Sequence, residues 1–141
     1  MSEIVQQKCD ILDLETIEVN DEQIKCLQKL LDLQKSFGQK FCNFDNLTDE
    51  EKVKWTKEFM ICMQSEMTEM LEGLPWKHWK QYSDFKINLP ELQYEIIDLL
   101  HFYLSICLIW GIDAKKMYRL YLSKNKQNFK RQEDPKLGYV K

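Results

Sequence analysis

Two pairs of acidic residues carry a spacing that chemistry could use. Glu66 and Glu69 are three apart, as are Glu95 and Asp98, and residues three apart share one face of a helix. Two such helices facing each other would bring four carboxylates into one cleft. There the charges would repel and lose hydration, so a divalent cation is needed to hold them together. Ligands that offer only oxygen suit Mg²⁺, with Mn²⁺ as a substitute.

The spacing itself is common, because the chain holds six acidic i, i+3 pairs. Neighbours distinguish two of them. Glu66 has Cys62, Met63 and Met70 at helical neighbour positions, and Glu95 and Asp98 interrupt an otherwise apolar run beside Leu92, Leu99 and Phe102. Charge in apolar surroundings is seldom kept without a partner or a metal. On the residues alone, a metal site and a bundle with one buried polar network are both open. His101 continues the stripe Glu95–Asp98–His101–Ser105. A di-iron bundle would need two Glu-x-x-His motifs, and Asp98-x-x-His101 is the one comparable pair, so His101 reads as a hydrogen-bond partner or a satisfied core histidine.

A second constellation lies near the C-terminus. Lys124, Asn128 and Arg131 stand at i, i+4 and i+7, which is one face if the segment stays helical. A cation, an amide and a guanidinium suit a polyphosphate, and they equally suit a solvated basic helix end. The formal charge of −3 divides into +7 over residues 115–141 and −10 over the rest. That asymmetry points to an anionic partner at the tail, a cation in the body, or both.

These residues need elements to position them. At 141 residues, one domain with a real core is expected, and 12% aromatics argue against disorder. Four glycines and three prolines are too few for the turns of a sandwich or barrel, which favours an all-α chain. Helices are predicted over 21–37, 48–73, 90–110 and 113–129, after an arm over 1–19 and before a basic tail over 130–141. Gly38 ends the first helix, Thr48 and Glu51 form a capping box for the second, and Pro90 suits the first turn of the third. The expected fold is a compact four-helix bundle whose third helix is central and covered on most sides. The apolar stretch from Ile96 to Trp110 contains Asp98, His101 and Ser105 and is short of the roughly 20 residues of a membrane span. No membrane partner is expected. The N-terminus lacks the pattern of a signal peptide, and five scattered cysteines fit reduced thiols, so a cytoplasmic location is expected.

The motifs together resemble the all-α nucleoside triphosphate pyrophosphatase superfamily, which holds MazG-type enzymes and dimeric dUTPases. Glu66-x-x-Glu69 and Glu95-x-x-Asp98 are similar to its carboxylate motif. Lys124-Asn125-x-x-Asn128-x-x-Arg131-Gln132 and Gly138-Tyr139 resemble the C-terminal motif of dimeric dUTPases and phage dCTPase-dUTPases. Leu33-Gln34-Lys35 and Trp76-Lys77-x-Trp79-Lys80 are similar to further motifs of that group.

The resemblance covers residues 27–139 and implies roles. Glu66, Glu69, Glu95 and Asp98 would bind two or more Mg²⁺ ions, with Glu66 or Glu69 as catalytic base. Gln34, Trp76 and Trp79 would contact the base or sugar. Lys77, Lys80, Lys124, Asn128, Arg131 and Tyr139 would hold the phosphates. The implied activity is hydrolysis of dUTP, and of dUDP as well, to dUMP by a cytoplasmic homodimer. The alternatives are a dCTP or broad-specificity pyrophosphatase and a non-catalytic helical module with a basic tail. The acidic body argues against a nucleic-acid partner. Only 25 residues separate Asp98 from Lys124, where many dimeric dUTPases carry an extra helical segment, so a more open pocket is expected.

Overall fold

The structure is a computed structural model that describes residues 16–134 and 136. Most of the expected N-terminal arm and half of the C-terminal tail, Tyr139 included, lie outside the described residues. Four helices and no strand occur among the described residues: α1 (Asp21–Gly38), α2 (Asp49–Glu72), α3 (Leu89–Ile109) and α4 (Ala114–Glu133), with a 3-10 turn at Phe44–Asn46. The all-α class is therefore as the composition required, and the helix ends fall within one residue of expectation except at α4, which runs four residues further.

The starts and stops follow local chemistry. Thr48 Oγ1 accepts from the Glu51 backbone N–H at 3.2 Å, and a Glu51 carboxylate oxygen accepts from the Thr48 N–H at 2.8 Å. This is the capping box that opens α2. Asn20 and Gln23 do the same for α1, through Glu22 N–H to Asn20 Oδ1 at 2.9 Å and Asn20 N–H to Gln23 Oε1 at 3.3 Å. Gly111 ends α3 at φ 64°, with Ile112 N–H reaching the Cys107 carbonyl at 2.8 Å and Gly111 N–H the Leu108 carbonyl at 3.2 Å. That left-handed turn satisfies the last carbonyls of the helix.

The chain forms two compact units, one from residues 28–113 and one from the described residues of 1–27 and 114–141. In the first, α2 and α3 pack antiparallel, as shown by the meetings of Phe59 with Phe102 and of Glu66 with Glu95. Its core gathers Cys42, Phe44, Phe59 and Ile109, with Leu47, Trp55, Phe102, Ile106 and Leu108 against them. Aromatic rings run from Phe41 through Trp55 and Phe59 to Phe102 at centroid spacings of 6.0, 5.6 and 6.0 Å. Gly38 lets the Phe44 ring press on the end of α1, since a Cβ there would collide with it. Lys35 and Asp45 close the same corner at 2.6 Å. In the second unit, Arg119 of α4 donates to the Ile17 carbonyl at 3.0 Å and holds the segment before α1.

The expectation that α3 would be covered on most sides is corrected. Leu89, Tyr94, Ile96, Ile97 and Tyr103 are exposed, Tyr94 to 72%. The helix packs one face on α2 and keeps another outward. By length and composition α3 is long and apolar enough to cross a membrane, longer than the apolar run suggested. Glu95 and Asp98 lie in its middle, and Glu95 meets a carboxylate of α2.

Candidate active site

The α2–α3 pairing brings the carboxylate pairs together. Glu66, Glu69 and Glu95 each offer an oxygen within 4.8 Å of the others. Asp98 stands outside that trio but close enough for its charge to act on Glu66. Glu66, Glu95 and Asp98 are half-buried and Glu69 is exposed, receiving a hydrogen bond from Ser65 Oγ at 3.3 Å. Burial pushes the Glu66 carboxyl above its ordinary value. A hydrogen bond with Glu95 and the charges of Glu69, Asp98 and Glu95 push it further. A carboxylate that resists ionisation among other carboxylates is the condition that a hard divalent cation relieves. The donors are all oxygen, so the residues fit Mg²⁺ or Mn²⁺.

A cleft of about 340 Å³ opens beside the trio, between the end of α2 and the start of α3. Glu69 and Glu95 line it with Glu72, Asn88, Glu91 and Leu92. Glu91 accepts from Asn88 Nδ2 at 2.7 Å. Glu72 and Glu91 were not among the expected site residues. Glu91 is four before Glu95 and Glu72 three after Glu69, so helical spacing was the available signal.

Gln34, expected to contact the base, is buried with its amide bonded to the protein. It is 6% exposed, its Nε2 donates to Ser105 Oγ at 2.9 Å, and its Oε1 lies 2.7 Å from His101 Nδ1. Both amide atoms are engaged within the protein. This also resolves the two readings of His101: it is a hydrogen-bond partner with an exposed ring, and not a core histidine.

The loop after α2 gathers aromatic and basic groups. Trp76 and Trp79 meet edge to face at 5.7 Å, and Trp79 is 68% exposed. Lys77 Nζ lies 5.3 Å from the centre of the Trp76 ring, and its backbone N–H donates to Tyr82 Oη at 3.2 Å. Lys80 Nζ lies 5.6 Å from the Tyr82 ring. Neither tryptophan nor either lysine lines the cleft. In the other unit, α4 stays helical through Glu133, so Lys124, Asn128 and Arg131 do share one helical face. Lys124 and Asn128 are exposed and Arg131 is half-buried.

The described residues form helices and no strand, with facing Glu-x-x-Glu and Glu-x-x-Asp pairs on antiparallel helices, which agrees with the class of helical nucleotide pyrophosphatases that the sequence resembles. The sequence matches the profile of the dUTPase family over residues 26–117, and the chain belongs to that family. It is 28% identical to a dCTP pyrophosphatase of Enterobacteria phage T4 over 138 residues, covering 77% of this chain and 81% of the relative. It is 27% identical to a T4 DNA replication protein, covering 71% of this chain and 33% of that longer protein. A dCTP pyrophosphatase of Enterobacteria phage LZ5 is 32% identical over 68 residues, 41% of this chain and 40% of the relative. No solved structure matches.

Proposed function

We propose that the protein hydrolyses a pyrimidine deoxynucleoside triphosphate, dUTP or dCTP, to the monophosphate and pyrophosphate, with dUDP as a further substrate. The family profile favours dUTP. The name of the T4 relative favours dCTP. The observation that carries the reading is the convergence of Glu66, Glu69 and Glu95, with Asp98 beside them, at the rim of a nucleotide-sized cleft.

Glu66, Glu69, Glu95 and Asp98 would hold Mg²⁺, which when bound lowers the pKa of a coordinated water and neutralises phosphate charge. The chain's own residues do the rest. Glu66 or Glu69, in its ionised form, would take the proton of the attacking water. Lys124 and Arg131 bind the leaving pyrophosphate, Arg131 through two oxygens at once. Trp76 and Trp79 offer faces for the sugar or base, with Lys77 and Lys80 beside the phosphates. The enzyme would be a cytoplasmic homodimer whose copies meet on the outward apolar face of α3.

The test is pyrophosphate release with Mg²⁺ across dUTP, dCTP, dTTP, dATP and dUDP. Glu95→Gln and Asp98→Asn should each abolish turnover while the helical circular dichroism spectrum stays unchanged. Full Mg²⁺-dependent activity in both variants would remove the carboxylate assignment. Turnover of no nucleotide would leave a helical binding module.

A further inference from the structure

Gln34, Ser105 and His101 form a polar trio that the carboxylate chemistry does not use. Gln34 Nε2 donates to Ser105 Oγ at 2.9 Å, Gln34 Oε1 lies 2.7 Å from His101 Nδ1, and Ser105 Oγ donates to the His101 backbone carbonyl at 3.1 Å. Gln34 and Ser105 are buried, while His101 is exposed.

This connectivity fixes where the protons sit. The single hydroxyl hydrogen of Ser105 is spent on the carbonyl, so Ser105 can only accept from Gln34. The amide oxygen therefore faces His101, and an amide oxygen only accepts, so Nδ1 carries the hydrogen. The neutral ring is left with a bare lone pair on Nε2. Flipping the amide would reverse the ring, but Ser105 would then give up its bond to the carbonyl, so the observed arrangement holds one more hydrogen bond. His101 is one turn beyond Asp98 on the stripe that begins at Glu95. It thus offers a preset acceptor one helical turn from Asp98, beyond the residues that line the cleft.

We propose that His101 Nε2 reads the base of the bound nucleotide by accepting from the 4-amino group of cytosine. Gln34 and Ser105 are positioning residues that hold the imidazole in that tautomer. Uracil carries a carbonyl oxygen at the same place, which sets two acceptors against each other. The inference rests on the nucleotide reading of the carboxylate site and moves the base contact from the Gln34 amide to the ring that it holds.

The test uses the full chain with ¹⁵N-labelled histidine, of which there are two, His78 and His101. Two-bond ¹H–¹⁵N spectra at alkaline pH should show the Nδ1–H tautomer for His101 and a mixture in Ser105→Ala and Gln34→Leu. With MgCl₂ present, dCMP should move the His101 Nε2 resonance and dUMP should leave it near its free position. In turnover, the ratio of kcat/KM for dCTP over dUTP should fall roughly tenfold in Gln34→Leu, with a smaller fall in Ser105→Ala. An Nε2–H tautomer in the unmodified chain, equal shifts with the two monophosphates, or an unmoved ratio would each overturn the proposal. A chain with the Nδ1–H tautomer and a dCMP-selective shift but no turnover would lose the hydrolase reading and keep this one. Turnover with an unmoved ratio would do the reverse.

Discussion

Glu66 concentrates the electrostatics of the site. Its carboxyl is pushed up by burial first, then by its hydrogen bond with Glu95 and by the three carboxylates around it. A carboxyl whose folded pKa is raised contributes stability that is full below its unfolded pKa and is lost as pH rises through the folded value. The metal-free chain should therefore lose stability as pH climbs above the ordinary glutamate range, and Mg²⁺ should restore it by binding the ionised cluster. Thermal unfolding with and without MgCl₂ should show a stabilising shift that is larger at pH 8 than at pH 5. In Glu66→Gln the shift should shrink and lose most of its pH dependence. A magnesium shift that is equal at both pH values in the unmodified chain would mean that Glu66 does not take part.

Each helix rests on a few terminal contacts. The Thr48–Glu51 box lowers the Glu51 carboxyl below its ordinary value, chiefly through the Thr48 backbone hydrogen bond and then the hydroxyl. A depressed carboxyl contributes stability above its unfolded pKa that is lost as pH falls through the folded one, so this contribution runs opposite in pH to that of Glu66. Thr48→Ala should cost about 1 kcal/mol in denaturant unfolding, and a cost near zero would mean that α2 frays without consequence. Gly111 stands at φ 64°, and a Cβ added there would meet nothing within 4 Å, so Gly111→Ala tests backbone conformation free of crowding. It should destabilise by roughly 1–2 kcal/mol. Gly38→Ala adds collision with the Phe44 ring to an ordinary helical conformation, and should cost about 1–3 kcal/mol by forcing that ring aside. If both variants melt like the parent, neither glycine is required.

On the scale of the molecule, the outward face of α3 calls for an explanation. Tyr94, Ile96, Ile97 and Tyr103 are exposed on a helix of high hydropathy, and Met60 and Ile61 are exposed on α2. A second copy covering this apolar surface would return it to a dry environment. Sedimentation or light scattering should give twice the 17.1 kDa chain mass, and Ile97→Glu should shift the population toward single chains. A monodisperse single chain at micromolar concentration would count against the homodimer.

The amino-acid order was enough for the class of fold, the four helices and most of their ends, because apolar period, caps and stop residues act within a few positions of each other. Glu66-x-x-Glu69 and Glu95-x-x-Asp98 were legible for the same reason: a helix fixes which neighbours share a face. Long-range partners were not legible, because they depend on how helices are rotated and set in register. Gln34 and Ser105 are 71 positions apart and bonded to each other, a partnership that spacing along one helix does not name. Asp98 fell outside the tight carboxylate trio, Lys77 came to lie over Trp76, and Glu72 and Glu91 joined the cleft. Spacing along one helix names the groups available to a site, and the packing of α2 against α3 selects the ones that meet.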